Sequence, residues 1–186
     1  MERIVLASGS PRRRQLLEWA EIDFDVIVKE TSESYPPGMA TAEVPVHIAR
    51  NKALAVKGLV DPARIILAAD TVVVLGNEII GKPRDRDDAI SILTRLAGNR
   101  HEVITGVVLV KGEREIAFAD TTEVWFHDLE QQQLAAYVDK YKPFDKAGAY
   151  AIQEWIGVVG IRSIKGDFYN VMGLPVSRVV RELARI

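Results

Sequence analysis

Along this chain, short blocks of continuous apolar residues alternate with longer stretches in which apolar positions recur every three or four residues. The first block, Ile4-Val5-Leu6-Ala7, predicts a buried strand. It runs into Ser10-Pro11, where serine has N-cap chemistry and proline suits a first helical position, its missing N–H being unpaired there in any case. A helix from Pro11 to about Ala20 follows, with Leu16, Leu17 and Ala20 facing inward. Phe24 to Val28 reads as a second strand. Glu33 to Met39, which contains Pro36, Pro37 and Gly38, reads as a loop. From Thr41 to Val60 the residues Val44, Ile48, Ala49, Ala53 and Val56 keep helical spacing, and Lys52 emerges near the edge of that apolar face.

Ile65 to Ala69 is a second buried block that ends in Asp70, and Thr71 to Leu75 continues as a strand. Gly76-Asn77 supplies a turn before Glu78-Ile79-Ile80. Asp85 can cap a helix through about Leu96, with Asp87 and Asp88 favoured in its first turn by the helix dipole. Gly98 or Asn99 ends it. Two long strands, about Glu102 to Val110 and Glu115 to Trp125, flank Lys111-Gly112-Glu113-Arg114 as a hairpin. Asp128 with Gln131 resembles a capping box for a helix through Tyr141. Gly148 to Gly173 reads as short strands and loops, and Pro175 opens a last helix carrying Val176, Val179, Val180 and Leu183. Early alternation of strands and helices with an antiparallel middle predicts an α/β fold with a mixed sheet.

Charge narrows the function classes. The chain has 186 residues, with 24 Lys and Arg against 26 Asp and Glu, for a net charge of -2. That balance, with its arginines scattered, lacks the basic stripe and interleaved aromatics of a nucleic-acid module or an anionic-membrane binder. Cysteine is absent, which excludes disulfides and thiolate metal sites. The apolar run before Pro11 is too short for a signal peptide, and no segment approaches a membrane span. The expectation is one domain, 1–186, with two lobes around one cleft, working in the cytoplasm.

Candidate chemistry sits at strand ends and turns. In LASGSPRRR (6–14), Arg12 and Arg13 fall in a first helical turn, where the helix dipole disfavours cations. Strand-turn-helix context makes an anion site there; taken alone, the stretch fits a solvated basic face about as well. Asp70 follows a buried run, where a carboxylate can ligate a hard cation, orient a water or form a turn. Glu33 taken alone is a loop carboxylate, and Lys52 taken alone is a lysine snorkelling at a helix edge. Gly81-Lys82-Pro83 offers a turn with a point charge but lacks P-loop spacing. His47, His101 and His127 have no zinc-site spacing. Ser8 and Ser10 lie outside any GxSxG elbow. Trp19, Trp125 and Trp155 are assigned to core packing.

Together, LASGSPRRRQLL, Glu33, ARNKA (49–53), AADTVV (68–73) and GKPRDRDDA (81–89) resemble the Maf family in order and register. HEVITGV (101–107), FDKAGAYAIQ (144–153) and GDFYNVMGLP (166–175) extend the resemblance nearly end to end. It implies an elongated α/β fold, with a central mixed sheet flanked by helices, similar to the inosine triphosphatases (ITPase-like). It also implies a nucleoside triphosphate pyrophosphatase that cleaves between the α and β phosphates with a divalent metal, Mg²⁺, Mn²⁺ or Co²⁺. AAD stands where many members carry GAD.

By the same resemblance, Ser8, Arg13, Lys52 and Lys82 bind the triphosphate. Glu33 and Asp70 serve the metal and attacking water, with Asp70 as proton acceptor. Arg12, Thr71 and Gln153 look like the specificity set of the branch acting on dTTP and UTP, and Arg14 has no family role. Gln153 offers a donor and an acceptor, which match the imide edge of uracil or thymine. The implied work is clearing nucleotide pools, modified pyrimidine nucleotides included. The alternative is a nucleotide-binding regulator of septum formation whose hydrolysis is incidental. A homodimer is compatible with the family.

Overall fold

The computed structural model describes residues 3–186. Contacts divide the chain into two compact units: residues up to Thr71 with Thr105–Asp120 and Gly173–Ile186, and Val72–Ile104 with Thr121–Met172.

The first unit begins with β1 (Ile4–Leu6), α1 (Pro11–Trp19), β2 (Phe24–Val26) and α2 (Val44–Lys57). Strand β3 (Ile66–Leu75) starts in this unit, and α7 (Val176–Leu183) ends it. The continuous apolar run of β1 is buried because β1 pairs in parallel on both sides, with β2 (Val5 opposite Asp25) and with β3 (Val5 opposite Ile66). Helix α2 lays Ala49, Ala53 and Val56 on Val5, Ala7, Ile66, Ala68, Val108 and Val110. Its start crosses the sheet at Gly106, where an added Cβ would lie 2.2 Å from the Val46 backbone nitrogen. That close approach and the small side chains at 49 and 53 fix the height at which Lys52 leaves the helix.

The second unit holds β4 (Glu78–Ile80), α3 (Arg86–Leu96), α4 (Gln131–Tyr141), a 3₁₀ turn at Ala147–Ala149, α5 (Trp155–Gly160), β7 (Ile161–Lys165) and α6 (Phe168–Met172). β4 pairs antiparallel with β3, Val74 opposite Ile79, and β7 pairs antiparallel with the strand Arg114–Phe126, Val124 opposite Ile164. The Asp85 carboxylate caps α3 by accepting from the Asp88 N–H at 2.9 Å, as its sequence predicts. With β5 (Arg100–Lys111) and β6 (Arg114–Phe126), the strand order is β2-β1-β3-β5-β6-β7, and β4 is added on β3. Parallel and antiparallel pairs coexist, so the expected mixed α/β sheet is what forms.

Several local expectations are corrected. Ser10 occupies the N-cap position of α1, but its hydroxyl caps nothing, and its own N–H instead donates to Ser8 Oγ at 3.3 Å. β2 ends at Val26, and α2 is shorter than the periodic stretch at both ends. Asp70 does not end a strand: it is an interior residue of an unbroken β3. The capping box of α4 is Glu130 with Gln133 rather than Asp128 with Gln131, and Asp128 is instead packed over Gly98. Between Gly148 and Gly173 the chain forms two short helices and only one strand, because glycines there serve close packing and turns rather than loops. Trp19 is 58% exposed, so core packing does not account for it.

The second unit also buries a histidine. His101 is 1% exposed, its Nε2 lies 2.7 Å from the Tyr150 hydroxyl, and Phe126 and Tyr150 meet its ring edge-on at 5.1 and 5.5 Å. Nδ1 is buried without a hydrogen-bond partner, so burial disfavours the imidazolium and lowers the pKa from 6.5 to about 4. Above pH 6.5 the folded and unfolded chains hold the same charge here. As pH falls from 6.5 to 4 the unfolded chain gains a proton that the folded chain refuses, and stability drops. The expected loss is on the order of 3 kcal/mol, levelling off below that window. Denaturant titrations across this range on the wild type and on His101→Phe check it. The variant's stability is expected to be flatter in pH by about that amount, and equal slopes would refute the assignment.

Candidate active site

Two polar centres form in the first unit, and both depend on β3. The chain leaves β1 through Ala7, Ser8 and Gly9, and α1 starts at Pro11, so Ser8 in the connecting loop meets Arg13 from the first turn at the head of α1. Both are buried, at 5% and 8% exposure. A guanidinium taken out of water needs its donors satisfied. Arg13 Nε donates to the Gly173 carbonyl at 2.8 Å, Nη1 to Ser8 Oγ at 3.0 Å and Nη2 to Thr71 Oγ1 at 3.0 Å. Thr71 Oγ1 in turn lies 2.9 Å from Thr105 Oγ1 on β5, and Thr105 is fully buried. Burial pushes the Arg13 pKa down from its ordinary value, nearby Asp70 and Glu33 oppose the shift, and Arg12 adds to it. The group stays a cation, because guanidinium titrates far above neutral pH.

The second centre is built on Lys52. Its Nζ lies 2.6 Å from Asp70 Oδ1 and 3.1 Å from Glu33 Oε1, so one ammonium bridges two carboxylates from different parts of the chain. The Lys52 and Asp70 side chains are 17% and 13% exposed, and Glu33 is 46% exposed, so the lysine is not a solvated helix-edge residue. Strand alternation puts Asp70 on the side of Ile66 and Ala68, beneath α2, and turns Thr71 the other way toward Arg13. Consecutive residues thus serve the two centres.

Of the predicted site residues, the first unit brings together Ser8, Arg13 and Thr71 in one network and Glu33, Lys52 and Asp70 in the other. Arg12 is half-buried in the first turn of α1. Arg14, which the resemblance leaves without a role, is half-buried too, with Nε buried and without a hydrogen-bond partner. Lys82 and Gln153 belong to the second unit, and both residues are exposed. Lys82 follows β4 in a loop tied down by the Gly148 N–H donating to the Gly81 carbonyl at 3.1 Å. Thr105 and the Gly173 carbonyl were not singled out from sequence. The signal for Thr105 was there: a hydroxyl inside the apolar run Val103-Ile104-Thr105-Gly106-Val107 must find a partner once buried.

Among the described residues no group of three or more His, Asp or Glu side chains could hold a metal ion. The Glu33–Asp70 pair is a smaller donor set of hard oxygens. It suits a hard divalent cation that takes its remaining ligands from water and phosphate.

Comparison with known proteins places the whole chain. Residues 3–186 match the family described as Maf-like protein. A protein of Cytophaga hutchinsonii named dTTP/UTP pyrophosphatase is 50% identical over 183 residues, which cover 98% of this chain and 84% of that protein. One of the same name from Bacteroides thetaiotaomicron is 43% identical over 185 residues, 99% of this chain and 96% of that protein. The structure of the Staphylococcus aureus Ham1 protein superposes with a TM-score of 0.49 at 19% identity, covering 68% of this chain and 73% of the other. The family match and the relatives each span nearly the full length, and the chain belongs to the Maf-like protein family.

Proposed function

We propose that this protein hydrolyses dTTP and UTP between the α and β phosphates, yielding the nucleoside monophosphate and pyrophosphate. The observation that carries the reading is the Lys52 ammonium held between Glu33 and Asp70, with the buried Arg13 cation near enough to feel both carboxylates. Two fixed cations and two carboxylates answer the needs of a triphosphate carrying about four negative charges and of a water that must lose a proton. Relatives named dTTP/UTP pyrophosphatase, at 50% and 43% identity, support the choice of base. The same observations do not favour a regulator whose hydrolysis is incidental, since binding alone does not call for a water-orienting carboxylate.

In this reading Asp70 orients the attacking water and accepts its proton. The water oxygen bonds to the α phosphorus as the bond from that phosphorus to the bridging oxygen breaks, and the electron pair leaves on pyrophosphate. Arg13 and Lys52 stabilise charge that grows on the departing group. Glu33 and Asp70 would hold a divalent cation, Mg²⁺, Mn²⁺ or Co²⁺, which when bound supplies Lewis-acid polarisation of a phosphate oxygen. Ser8 donates to phosphate through its hydroxyl, whose oxygen already accepts from Arg13 and Ser10. Arg12 and Thr71 act in substrate choice, Lys82 as a point charge for phosphate and Gln153 as the reader of the base, as the family resemblance implies. The proposed setting is the cytoplasm, where nucleoside triphosphates are held, and the proposed assembly is a homodimer. No helix among the described residues is long and apolar enough to cross a membrane.

Pyrophosphate release measured over a panel of canonical and modified triphosphates, with added Mg²⁺ or Mn²⁺, tests the proposal: dTTP and UTP are expected to lead, and a lack of release from both would refute it. Asp70→Asn keeps the shape of the side chain and removes the proton acceptor, so turnover is expected to fall by about 10²-fold or more while circular dichroism stays native. Normal dTTP hydrolysis by this variant would remove Asp70 from the mechanism. Lys52→Gln leaves Glu33 and Asp70 without their shared cation. Its kcat is expected to fall by about 10²-fold when measured at a temperature where circular dichroism shows the variant folded.

A further inference from the structure

In the second unit, a turn that bears one of the candidate specificity residues is fastened by a buried tyrosine that takes no part in the chemistry described so far. Ala151, Ile152, Gln153 and Glu154 form a β-turn closed by the Glu154 N–H donating to the Ala151 carbonyl at 3.1 Å. Tyr137, on α4, is 1% exposed, and its hydroxyl contacts both ends of that turn. It accepts from the Ala151 N–H at 3.3 Å and donates to the Glu154 carboxylate. The other Glu154 oxygen faces Lys146 Nζ at 3.7 Å, and Lys146 is itself 9% exposed. The Tyr137 ring stacks with Tyr141 at 5.0 Å and with Trp155 at 6.4 Å.

The turn is held from two further sides. Ile152 is buried at 4% exposure. Beneath it, the backbone of α5 comes so close that a Cβ on Gly157 would lie 1.6 Å from the Ile152 carbonyl oxygen. Within this frame Ala151 and Ile152 point inward and Glu154 is half-buried; the third turn position, Gln153, is the exposed one. A fixed turn sets the direction of the Cα–Cβ bond, and an amide that must present one donor and one acceptor to a base edge depends on that direction.

We infer that Tyr137 and Glu154 are a positioning pair for Gln153, fixing the aim of its amide and hence the discrimination of the enzyme for a uracil or thymine base. This rests on the reading of the protein as a dTTP/UTP pyrophosphatase with Gln153 at the base. A hydroxyl–carboxylate pair serving only to hold the fold would also make these bonds, and the two roles differ in what they do to substrate discrimination.

The experiment measures kcat and KM by pyrophosphate release for dTTP, UTP, dCTP and dATP. The proteins are the wild type, Tyr137→Phe, Gln153→Ala and the double variant, each held below its own melting transition. Phenylalanine keeps the stacked ring and removes the hydroxyl. Tyr137→Phe is expected to raise KM for dTTP and UTP by about fivefold, with a smaller change in kcat and little change for dCTP and dATP. In the Gln153→Ala background the same substitution is expected to change nothing further. Glu154→Gln, which keeps an oxygen for the tyrosine hydroxyl, is expected to retain discrimination, and Glu154→Ala to lose it as Tyr137→Phe does.

An equal effect of Tyr137→Phe with and without Gln153, or on all four nucleotides alike, would show a purely structural pair and overturn the inference. So would unchanged discrimination in Tyr137→Phe when Gln153→Ala has lost it. If Gln153→Ala itself discriminates normally, the base-reading role fails and takes the inference with it, while dTTP hydrolysis by the wild type leaves the proposed reaction standing. Absence of dTTP hydrolysis by the wild type would instead overturn the proposed function.

Discussion

Consecutive residues of a β-strand leave opposite faces of the sheet, and the candidate site of this protein is organised by that constraint at one dipeptide, Asp70-Thr71. Asp70 emerges on the side where α2 packs, and Lys52 descends to it from the helix. Thr71 emerges on the other, where Arg13 reaches it from α1. A slip of one residue in the pairing of β3 with β1 would exchange these partners and turn Ile66 and Ala68 away from α2 as well. Burial of the apolar set therefore enforces the register that places the polar one.

The two centres differ in how their charges are kept. Arg13 is removed from water, and its cost is met by three oriented acceptors: a carbonyl and two hydroxyls, one of which has a further buried hydroxyl, Thr105, behind it. None of these acceptors carries a formal charge, so the guanidinium is fixed without being neutralised, and its field stays available to an anion. Lys52 is instead paired directly with two carboxylates, one of them nearly half exposed. Arg13 is thus the rigid, buried cation of the first unit, and the Lys52 triad is the more accessible of its two centres.

Much of the fold was legible because it follows from local rules. The β1–α1 unit announced itself through Ile4-Val5-Leu6-Ala7 and Ser10-Pro11, α3 through Asp85 three residues before Asp88, and α2 through the spacing of Ile48, Ala49, Ala53 and Val56. The failures arise where a contact from another part of the chain decides. A capping box needs an acceptor side chain whose neighbour three residues on can answer it, and both Asp128 and Glu130 qualify by type. Only the seating of Asp128 over Gly98 leaves the role to Glu130. The glycines after Gly148 read as loop residues, yet Gly157 and Gly160 lie within α5, where a Cβ would meet the Ile152 backbone at the first and the Leu129 and Ile156 side chains at the second.

The sequence by itself determined the inventory and its order: which runs would be buried, where cations and carboxylates would fall, and, through motifs spread over the chain, the family. It could not determine which charges meet. Lys52 and Asp70 are 18 residues apart, Arg13 and Thr71 are 58 apart, and Tyr137 and Glu154 are 17 apart across a helix end and a turn. Periodicity describes one element at a time, whereas these contacts depend on how closely two elements approach. That distance is set by side chains such as Ala49, Ala53 and the missing one at Gly106. Tertiary packing therefore decided that Lys52 is a bridge between carboxylates rather than a surface lysine, and that Arg13 is a buried, fully oriented cation rather than one of three basic side chains in a row.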